Sequence, residues 1–300
     1  MHGDERTAYV LYSYAKINWF LAIRGLRQDG YHDITSLMQQ VELADEIHIT
    51  LASSDAFSCN FSIPLGEDSL LQKTVDVLRG AFPELSRMRF AITVKKSIPP
   101  GGGLGGGSSN AAALLRFLPQ LAGYRPQLEE LVALSLSLGS DIPFFVVGAP
   151  FALVEGRGER VTPLSFPPRR HLVLLFPPFP VSTSWAYRKW DERKREGGFS
   201  LEERLVAFLK RQDPGGIEEV IWNDFEEVLF EEYPVLLKYR NLLLKLGCRK
   251  AFLTGSGSTL VGVVGSREEG ETVVDRLRKR GLSALWTVTR CGDHGGENHA

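Results

Sequence analysis

A run of glycines between residues 98 and 110 is the part of the sequence best suited to chemistry. It reads Ile-Pro-Pro-Gly-Gly-Gly-Leu-Gly-Gly-Gly-Ser-Ser-Asn and lies directly before an alanine-rich stretch that predicts a helix. Glycine lets backbone amides approach a ligand closely, and a helix N-terminus adds unpaired amides and a positive dipole end. We therefore expect an anion site here, most naturally for phosphate groups.

Three other interpretations of the glycine run fit less well. Gly101 to Gly106 satisfy the Gly-x-Gly-x-x-Gly spacing of dinucleotide-binding folds, but a Pro-Pro pair intervenes after the strand, and Glu129 and Glu130 lie in a predicted helix. A Walker A loop needs a lysine directly after the last glycine, and Ser108 stands there instead. A flexible linker would continue into polar chain and not into a strong helix former.

Two charged side chains elsewhere could act on a phosphoryl group. Lys16 and Asn18 lie two residues apart in an apolar, β-rich stretch, so both point to the same face of a predicted strand. Asp141 stands in Gly-Ser-Asp-Ile-Pro, where a carboxylate could serve as a base or an orienting acceptor. Taken alone, Lys16 is an ordinary snorkelling lysine, and Asp141 is better explained as a helix N-cap.

Strands and helices must bring these residues together. The periodicity predicts strands at 10–23, 33–43, 46–51, 57–61 and 89–95, a plausible antiparallel sheet, and a hairpin from 151–154 and 160–164. It predicts helices at 69–82, capped by Asp68 or Ser69, at 108–122, and at 128–138 with Gly139 as the stop. Pro119 should kink or end the second of these helices early.

The chain length indicates two packed units, because 300 residues exceed the usual size of one hydrophobic core. The proline-rich stretch 163–168 suggests an N-terminal unit at 1–165 and a C-terminal unit at 166–292, followed by a disordered tail at 293–300. The second unit is predicted to contain strands at 171–176, 249–253, 260–264 and near 283–289, helices within 184–246, and a helix at 268–280.

The composition is that of an ordinary globular protein. Hydrophobic residues make up 43% of the chain, and 35 Lys plus Arg nearly balance 36 Asp plus Glu, so nothing points to nucleic acid or membrane binding. The three cysteines match no paired metal-binding spacing and suggest reduced thiols. The charged N-terminus has no apolar signal region, and no long apolar run follows, so a cytoplasmic protein is expected.

The glycine run resembles the central motif of the GHMP kinase superfamily, named for galactokinase, homoserine kinase, mevalonate kinase and phosphomevalonate kinase. Pro100 to Asn110 match that motif closely, and two further motifs follow the expected order: Ala-Lys-Ile-Asn at 15–18 and Leu-Thr-Gly-Ser-Gly-Ser at 253–258. The resemblance implies an α+β, two-domain GHMP kinase fold. Its N-terminal domain would be ribosomal protein S5 domain 2-like, and its C-terminal domain would be ferredoxin-like.

Within the superfamily, the sequence resembles the branch that phosphorylates a cytidine diphosphate alcohol. Gly30-Tyr31-His32, the doubled triple glycine, residues 139–143 and Asn223-Asp224 carry this resemblance. It implies transfer of phosphate from ATP, with Mg²⁺, to the 2-hydroxyl of that alcohol in the non-mevalonate isoprenoid pathway. The expected partners are these two small molecules and neither nucleic acid nor membrane, and the chain is expected to be a monomer or weak homodimer.

The resemblance also assigns roles to residues. Lys16 and Asp141 would flank the acceptor hydroxyl, Tyr31 and His32 would read the cytosine, and the other substrate contacts would be Asn18, Thr183 and Tyr187. Without the family, Tyr31 and His32 could form a turn, and Tyr187 could be helix packing. The ATP-binding residues would be Pro100, Gly101, Gly102, Gly103, Leu104, Gly105, Gly106, Gly107, Ser108, Ser109 and Asn110.

Three further segments are interpreted with the help of the family. Segment 254–258 is expected to pack beside the first glycine loop, although a tight turn between strands is an equally ordinary explanation. Asn223-Asp224 is expected to be a helix cap or interdomain contact outside the site. The family often has Asn before Leu at the helix near the adenine, where this chain has Asp68-Ser69-Leu70, and that departure affects the adenine contacts.

Rival functions are separable by experiment. A superfamily kinase for homoserine or a mevalonate would keep the glycine loop and lack the Gly30-Tyr31-His32 segment. A nucleotide sensor without activity should have lost Lys16 or Asp141, and both are present. A dinucleotide-dependent oxidoreductase is disfavoured by the loop itself and would respond to reduced nicotinamide cofactor.

Overall fold

A computed structural model describes residues 8–61, 69–193 and 199–292. The predicted tail at 293–300 and the alternative cap Asp68 lie outside these ranges. The strands within them are β1 Ala8–Leu26, β2 His32–Leu51, β3 Ala56–Cys59, β4 Phe90–Lys95, β5 Phe151–Gly156, β6 Arg160–Pro163, β7 His171–Phe176, β8 Trp222–Asn223, β9 Lys250–Leu253, β10 Leu260–Val264 and β11 Ser283–Val288.

The helices alternate with these strands and begin close to the predicted positions. Short 3-10 helices at Pro83–Arg87 and Pro214–Glu219 complete the described part of the chain. The α-helices are α1 Leu70–Ala81, α2 Gly106–Leu121, α3 Leu128–Ser135, α4 Ile142–Val147, α5 Thr183–Asp191, α6 Phe199–Arg211, α7 Phe225–Glu232, α8 Pro234–Lys245 and α9 Arg267–Arg278.

The first sheet has the strand order β3-β4-β2-β1-β8, with β5 and β6 continuing from β2. β1 and β2 pair antiparallel along nearly their whole length, from Ala8 opposite Thr50 to Leu26 opposite His32. The two strands predicted at 33–43 and 46–51 are therefore one continuous strand. The break predicted between them is a β-bulge, where the β1–β2 register shifts. At the same point the neighbour on the other side of β2 changes from β5 to β4. The β3–β4 and β1–β8 pairs are parallel, so the sheet is not purely antiparallel.

Helices α1, α2 and α4 cover one face of the first sheet. Ser69 caps α1 as predicted, because its hydroxyl accepts a hydrogen bond from the Gln72 amide at 3.1 Å. Helix α2 begins two residues earlier than predicted, and it continues past Pro119 to Leu121, one residue short of the predicted end. Proline is tolerated there because it lies in the last turn, where one missing amide bond interrupts little helix. Helix α3 ends at Ser135, and a turn then leads to Gly139, whose amide donates to the Ser135 carbonyl.

The second sheet has the order β11-β7-β10-β9, and all its neighbouring pairs are antiparallel. With the helices between β7 and β9 and α9 between β10 and β11, this is the ferredoxin-like arrangement that the resemblance implied. No helix among the described residues is both long enough and apolar enough to cross a membrane.

The two sheets share a core. Trp19 of β1 and Phe252 of β9 are both buried, and their ring centroids lie 5.5 Å apart. In addition, β8, which follows the predicted boundary, returns to pair with β1. The domain limits at 165 and 166 therefore stay a prediction, and the halves are joined by core packing as well as by the chain.

Candidate active site

A pocket of about 400 Å³ opens between the glycine run and the second sheet. It brings together most of the residues predicted for the site. Those lining it are Lys16, Asn18, Pro100, Gly101, Gly102, Gly103, Leu104, Gly105, Gly106, Gly107, Ser108, Asn110, Asp141, Thr183 and Tyr187. Of the other predicted residues, Ser109 is buried in α2, and Tyr31 and His32 do not line the pocket.

The glycine run packs against the loop at 254–258, as predicted. Gly103 has a φ of +76°, and a Cβ built there would overlap the carbonyl oxygen of Thr254. The Thr259 amide also donates to the Gly102 carbonyl at 3.3 Å. Only glycine allows the two backbones to approach so closely. The pocket wall is therefore made by loops from opposite halves of the chain.

The N-terminus of α2 supplies donors for an anion. Gly105 precedes the helix in the left-handed region with a φ of +69°, and a Cβ there would lie 2.9 Å from the Phe145 ring. The first amides of a helix have no partners within it, and α2 has no acidic residue in its first turn. The helix dipole and these open amides make the end of the pocket at Gly106, Gly107 and Ser108 electropositive.

Lys16 lies at the centre of the pocket. Its Nζ is 2.7 Å from Asn18 Oδ1 and 3.3 Å from Asp141 Oδ2. The Lys16 side chain is only 3% exposed, and its backbone amide donates to the Leu104 carbonyl at 2.9 Å. β1 therefore fixes the ammonium beside the glycine run.

Asp141 does not cap α4 with its side chain. It occupies the N-cap position, but its carboxylate accepts no capping hydrogen bond and lies beside Lys16. The side chain is 34% exposed, so the carboxylate remains accessible from the pocket. The ordinary explanation for Asp141 taken alone is thus right about its N-cap position but not about its side chain, whose orientation fits a role in chemistry.

Asn18 is held from three sides. Its Oδ1 accepts from the Lys16 ammonium, its Nδ2 donates to Ser36 Oγ at 2.9 Å, and its backbone amide donates to Thr254 Oγ1 at 3.0 Å. These bonds fix the side chain and so fix the Lys16 ammonium.

Helix α5 contributes the opposite wall. Thr183 Oγ1 lies 2.8 Å from Ser256 Oγ, and the Tyr187 ring packs edge-on against Phe225. Burial, and then the charge of Asp141, raise the pKa of Tyr187, so its phenol stays a neutral hydrogen-bond donor.

Tyr31 and His32 lie behind that wall. His32 stacks directly on Tyr187, with ring centroids 4.5 Å apart, and its Nε2 lies 2.8 Å from Asp191 Oδ1. Tyr31 is 47% exposed, and the Arg157 guanidinium lies 4.8 Å from its ring centroid. In this arrangement His32 covers one face of Tyr187, and the reading of the cytosine by Tyr31 and His32 stays a prediction.

Sequence reasoning missed Lys96, which lines the pocket and is 6% exposed. The pair Lys95-Lys96 looks like ordinary surface charge. The signal was its phase, because Lys96 continues the buried alternation of Phe90, Ile92 and Val94 in β4. It also missed Asp45, whose carboxylate pairs with the Lys96 ammonium away from solvent.

Asn223 and Asp224 join the two halves, as predicted. Asn223 Nδ2 donates to the carbonyls of Leu253 at 2.9 Å and Gly255 at 2.8 Å. Asp224 Oδ2 accepts from the Ile23 amide at 2.7 Å. Asn223 therefore supports the 254–258 loop, and Asp224 ties the second half of the chain to β1.

Two family models match the chain. The model for the N terminal domain of GHMP kinases matches residues 69–149, and the model for the C terminal of GHMP kinases matches residues 205–282. The first match contains the glycine run and Asp141, and the second contains the 254–258 loop.

Curated relatives match almost end to end. A 4-diphosphocytidyl-2-C-methyl-D-erythritol kinase of Acaryochloris marina is 34% identical, over 90% of this chain and 92% of the relative. One of Geobacter metallireducens is 36% identical, over 91% of this chain and 94% of the relative.

Solved structures show the same fold. A crystal structure of a 4-(cytidine 5'-diphospho)-2C-methyl-D-erythritol kinase superposes with a TM-score of 0.77 at 29% identity, covering 95% of this chain and all of that one. A homoserine kinase of Cytophaga hutchinsonii gives a TM-score of 0.68 at 15% identity, over 97% of this chain and 96% of that one, and supports the fold alone. The α+β GHMP kinase fold expected from the motifs is confirmed.

Proposed function

The chain belongs to the GHMP kinases, in their 4-diphosphocytidyl-2-C-methyl-D-erythritol kinase family, and we propose that its pocket transfers phosphate from ATP to the 2-hydroxyl of that alcohol. It is an ATP-dependent kinase that acts on an alcohol in isoprenoid biosynthesis. We also propose which residues carry out this transfer. The observation that carries the proposal is the Lys16–Asp141 pair, 3.3 Å apart, beside the helix-backed glycine run in one pocket.

The glycine run is the proposed phosphate site. Phosphoryl transfer needs positioned cations and amides more than covalent help from the protein. Gly106, Gly107 and Ser108 have unpaired backbone amides at this site, and Lys16 supplies a fixed cation in the same pocket. Ser108 can add its hydroxyl to a phosphate oxygen.

Asp141 is the proposed acceptor of the hydroxyl proton. As the 2-hydroxyl oxygen bonds to the γ-phosphorus of ATP, the bond from that phosphorus to the β-γ bridging oxygen breaks, ADP leaves, and the hydroxyl proton passes to the carboxylate. The Lys16 ammonium, held between Asn18 and Asp141, neutralises charge on the transferring group.

The pocket residues fit a magnesium ion that arrives with ATP. Magnesium in such enzymes is bound by phosphates, waters and one or two protein oxygens, and needs no cluster of protein ligands. No group of three or more acidic, histidine or cysteine side chains able to hold a metal occurs in the described ranges. The Ser108 hydroxyl is the proposed protein contribution, and the ion would offset phosphate charge.

The cytidine end is assigned to α5 and the β1–β2 turn. Thr183 and Tyr187 line the acceptor side of the pocket, and His32 and Tyr31 adjoin them. A base stacked on an aromatic ring gains about 1–3 kcal/mol. Tyr31, exposed and beside Arg157, is the proposed stacking platform. A cytoplasmic location and a monomer or weak homodimer complete the proposal.

A single assay tests the assignment. The purified protein is given ATP, Mg²⁺ and, separately, 4-diphosphocytidyl-2-C-methyl-D-erythritol, homoserine or mevalonate, and ADP release is followed. Of the three alcohols, we expect only the cytidine diphosphate alcohol to give ADP release. Phosphorus NMR of the product should place the new phosphate on the 2-oxygen. Turnover of homoserine or mevalonate at a comparable rate would contradict the proposed acceptor.

A further inference from the structure

Asp45 is a carboxylate with no exposure to solvent at the back of the glycine run. It lies on β2, at the point where that strand leaves its bulge. Burying an ionised carboxylate is costly unless a cation and hydrogen-bond donors surround it. All the donors around Asp45 belong to the segments that begin and end the glycine run.

The entry of the glycine run is held by one oxygen of Asp45. The amides of Ser97 and Ile98 donate to Asp45 Oδ1 at 2.8 and 2.9 Å. These two residues come one position after the end of β4, behind Lys96, and lead into Pro99 and the first glycine.

The exit of the glycine run is held by the other oxygen. Asn110 Nδ2, in the second turn of α2, donates to Asp45 Oδ2 at 3.0 Å, and the Lys96 ammonium pairs with the same oxygen. Lys96 also donates to Asn110 Oδ1 at 3.2 Å. One carboxylate therefore bridges the two ends of the loop.

The network around Asp45 is buried and internally satisfied. Asn110 Nδ2 donates to Ser13 Oγ at 2.6 Å as well, and all four side chains are at most 6% exposed: Ser13, Asp45, Lys96 and Asn110. The backbone amide of Lys96 is fixed by Asn60 Oδ1 at 2.6 Å. Such a closed network has one low-energy arrangement, so it holds the segments it joins at a set distance.

We propose that Asp45 is a positioning residue for the nucleotide. It sets the separation between the entry and exit of the glycine run, and it holds the Lys96 ammonium at the pocket wall, 3.3 Å from a Cβ built on Gly106. The amides that receive the phosphates are thereby arranged before ATP binds. This inference rests on the proposed function, because it takes ATP as the ligand of the run.

The test compares Asp45→Asn with Asp55→Asn. In Asp45→Asn the NH₂ group of the new side chain faces the donors of Lys96 and Asn110 and cannot accept their hydrogen bonds. The exit of the glycine run is therefore no longer held. Asp55 is the matched control, because it also accepts a backbone amide of the β4 region, from Phe90 at 3.0 Å, but it lies outside the pocket. Binding of a non-hydrolysable ATP analogue is measured by calorimetry, and the Michaelis constants for ATP and for the alcohol are measured separately.

We expect Asp45→Asn to weaken analogue binding by about 10- to 100-fold, the effect of a lost charge-assisted hydrogen bond. The Michaelis constant for ATP should rise in parallel, and that for the alcohol should not change. Amide exchange of residues 97–107 should accelerate relative to Asp55→Asn. Unchanged analogue affinity in folded Asp45→Asn would overturn the inference, whereas a wild-type protein that binds no analogue would overturn the proposed function.

A second variant covers the case in which Asp45→Asn does not fold. The double variant Asp45→Asn with Lys96→Gln leaves no charge in the network around position 45, and the Gln carbonyl can accept from the new amide, so we expect it to fold. Asn110 still loses its tie to position 45, and analogue binding should again fall by about tenfold or more. Wild-type affinity in the folded double variant would equally refute the positioning role.

Discussion

At the scale of single residues, the pocket depends on a small number of fixed charges. Lys16 is held by Asn18 at 2.7 Å and faces Asp141 at 3.3 Å, and of these two partners Asn18 is buried whereas Asp141 is 34% exposed. We therefore propose different tasks for the buried ammonium and the accessible carboxylate. The first would stabilise charge in place, and the second would meet an incoming hydroxyl.

Replacing Asp141 by Ala should reduce turnover by about 10²- to 10⁴-fold, the usual contribution of a positioned acid or base. ATP binding should be largely spared, because the glycine run and not the carboxylate holds the phosphates. Steady-state kinetics and analogue calorimetry measure the two effects, with Asp275→Ala, an exposed aspartate on α9, as the control. Near-normal turnover would remove Asp141 from the chemistry.

Replacing Tyr31 by Ala should mainly weaken capture of the cytidine substrate, because a stacking surface worth about 1–3 kcal/mol is lost. The expected result is a higher Michaelis constant for the alcohol, with the constant for ATP unchanged. Tyr12→Ala is the matched control, since Tyr12 is also an exposed tyrosine, at 62%, on the long hairpin of β1 and β2. Equal constants for the alcohol in the two variants would argue against the cytosine platform.

Sequence alone identified the pocket residues whose neighbours in the chain form a motif. Lys16, Asp141 and the glycine run belong to that group, and Ser69 was correctly placed as a cap. Asp45 and Lys96 were missed because they pair with each other over 51 positions of the chain, which local spacing does not reveal. Asp141 was taken for a cap when considered alone, because a capping position and a catalytic position have the same local sequence.

At the scale of elements, the site is built where loops from separate elements meet. Helix α2 presents its N-terminus, β1 presents Lys16, and the loop after β9 covers the glycine run from behind. The start of α2 was placed too late from sequence because Gly106 and Gly107 have poor helix propensity, and here the fold overrides it. The single strand β2 was divided in two for a similar reason, since its bulge breaks the alternation.

Gly103→Ala tests the contact between the loops. The added methyl group would overlap the Thr254 carbonyl, so one loop must move, and a shift of about 1 Å can cost around 10²-fold in rate. We expect a raised Michaelis constant for ATP together with reduced turnover. Gly123→Ala is the matched control, because Gly123 also has a positive φ, of +81°, with open space around it. An equal loss of activity in the two variants would show that strain from the positive φ, and not the contact with Thr254, causes the change in kinetics.

Asp55→Asn tests the support of β4 through the pH dependence of stability. Burial alone would raise the pKa of Asp55, but hydrogen bonds from Arg79 and the Phe90 amide outweigh it and lower the pKa. A lowered pKa in the folded state means stability that is present above the unfolded value of 3.8 and lost as the pH falls.

We therefore expect Asp55→Asn to lose about 1–3 kcal/mol of unfolding free energy at pH 7, the cost of leaving a charged hydrogen-bond partner unpaired. The difference from wild type should shrink as the pH is lowered toward and below 3.8. Denaturant unfolding at several pH values measures it. A difference that stays constant with pH would contradict a charged Asp55.

At the scale of the whole molecule, the halves behave as one packed body around Trp19 and Phe252. Trp19 is fully buried, and its Nε1 donates to Gln39 Oε1 at 2.7 Å. The proline-rich stretch that suggested a boundary marks where the chain passes to the second sheet, yet β8 returns to the first. Composition can indicate where a chain leaves one sheet, but it does not show which later strand pairs with that sheet again.

Trp19→Ala should remove about 3–5 kcal/mol from the free energy of unfolding, as expected for a large buried aromatic side chain. Because the core is shared, amide exchange should accelerate in both β4 and β10, and the thermal transition should stay single. Phe90→Ala, buried in the first sheet away from the second, provides the comparison. Loss of protection in the first sheet alone would show that the halves are independent.

The close approach of the backbones at Gly103 and Thr254 has a consequence for synthesis on the ribosome. The glycine run is translated early, but the segment that closes it from behind emerges about 150 residues later, at roughly 5–20 residues per second. During that interval the growing polypeptide has a nucleotide loop without its backing. The glycine run therefore has its complete wall only near the end of translation, and we expect the nascent chain to fold without the help of a ligand there.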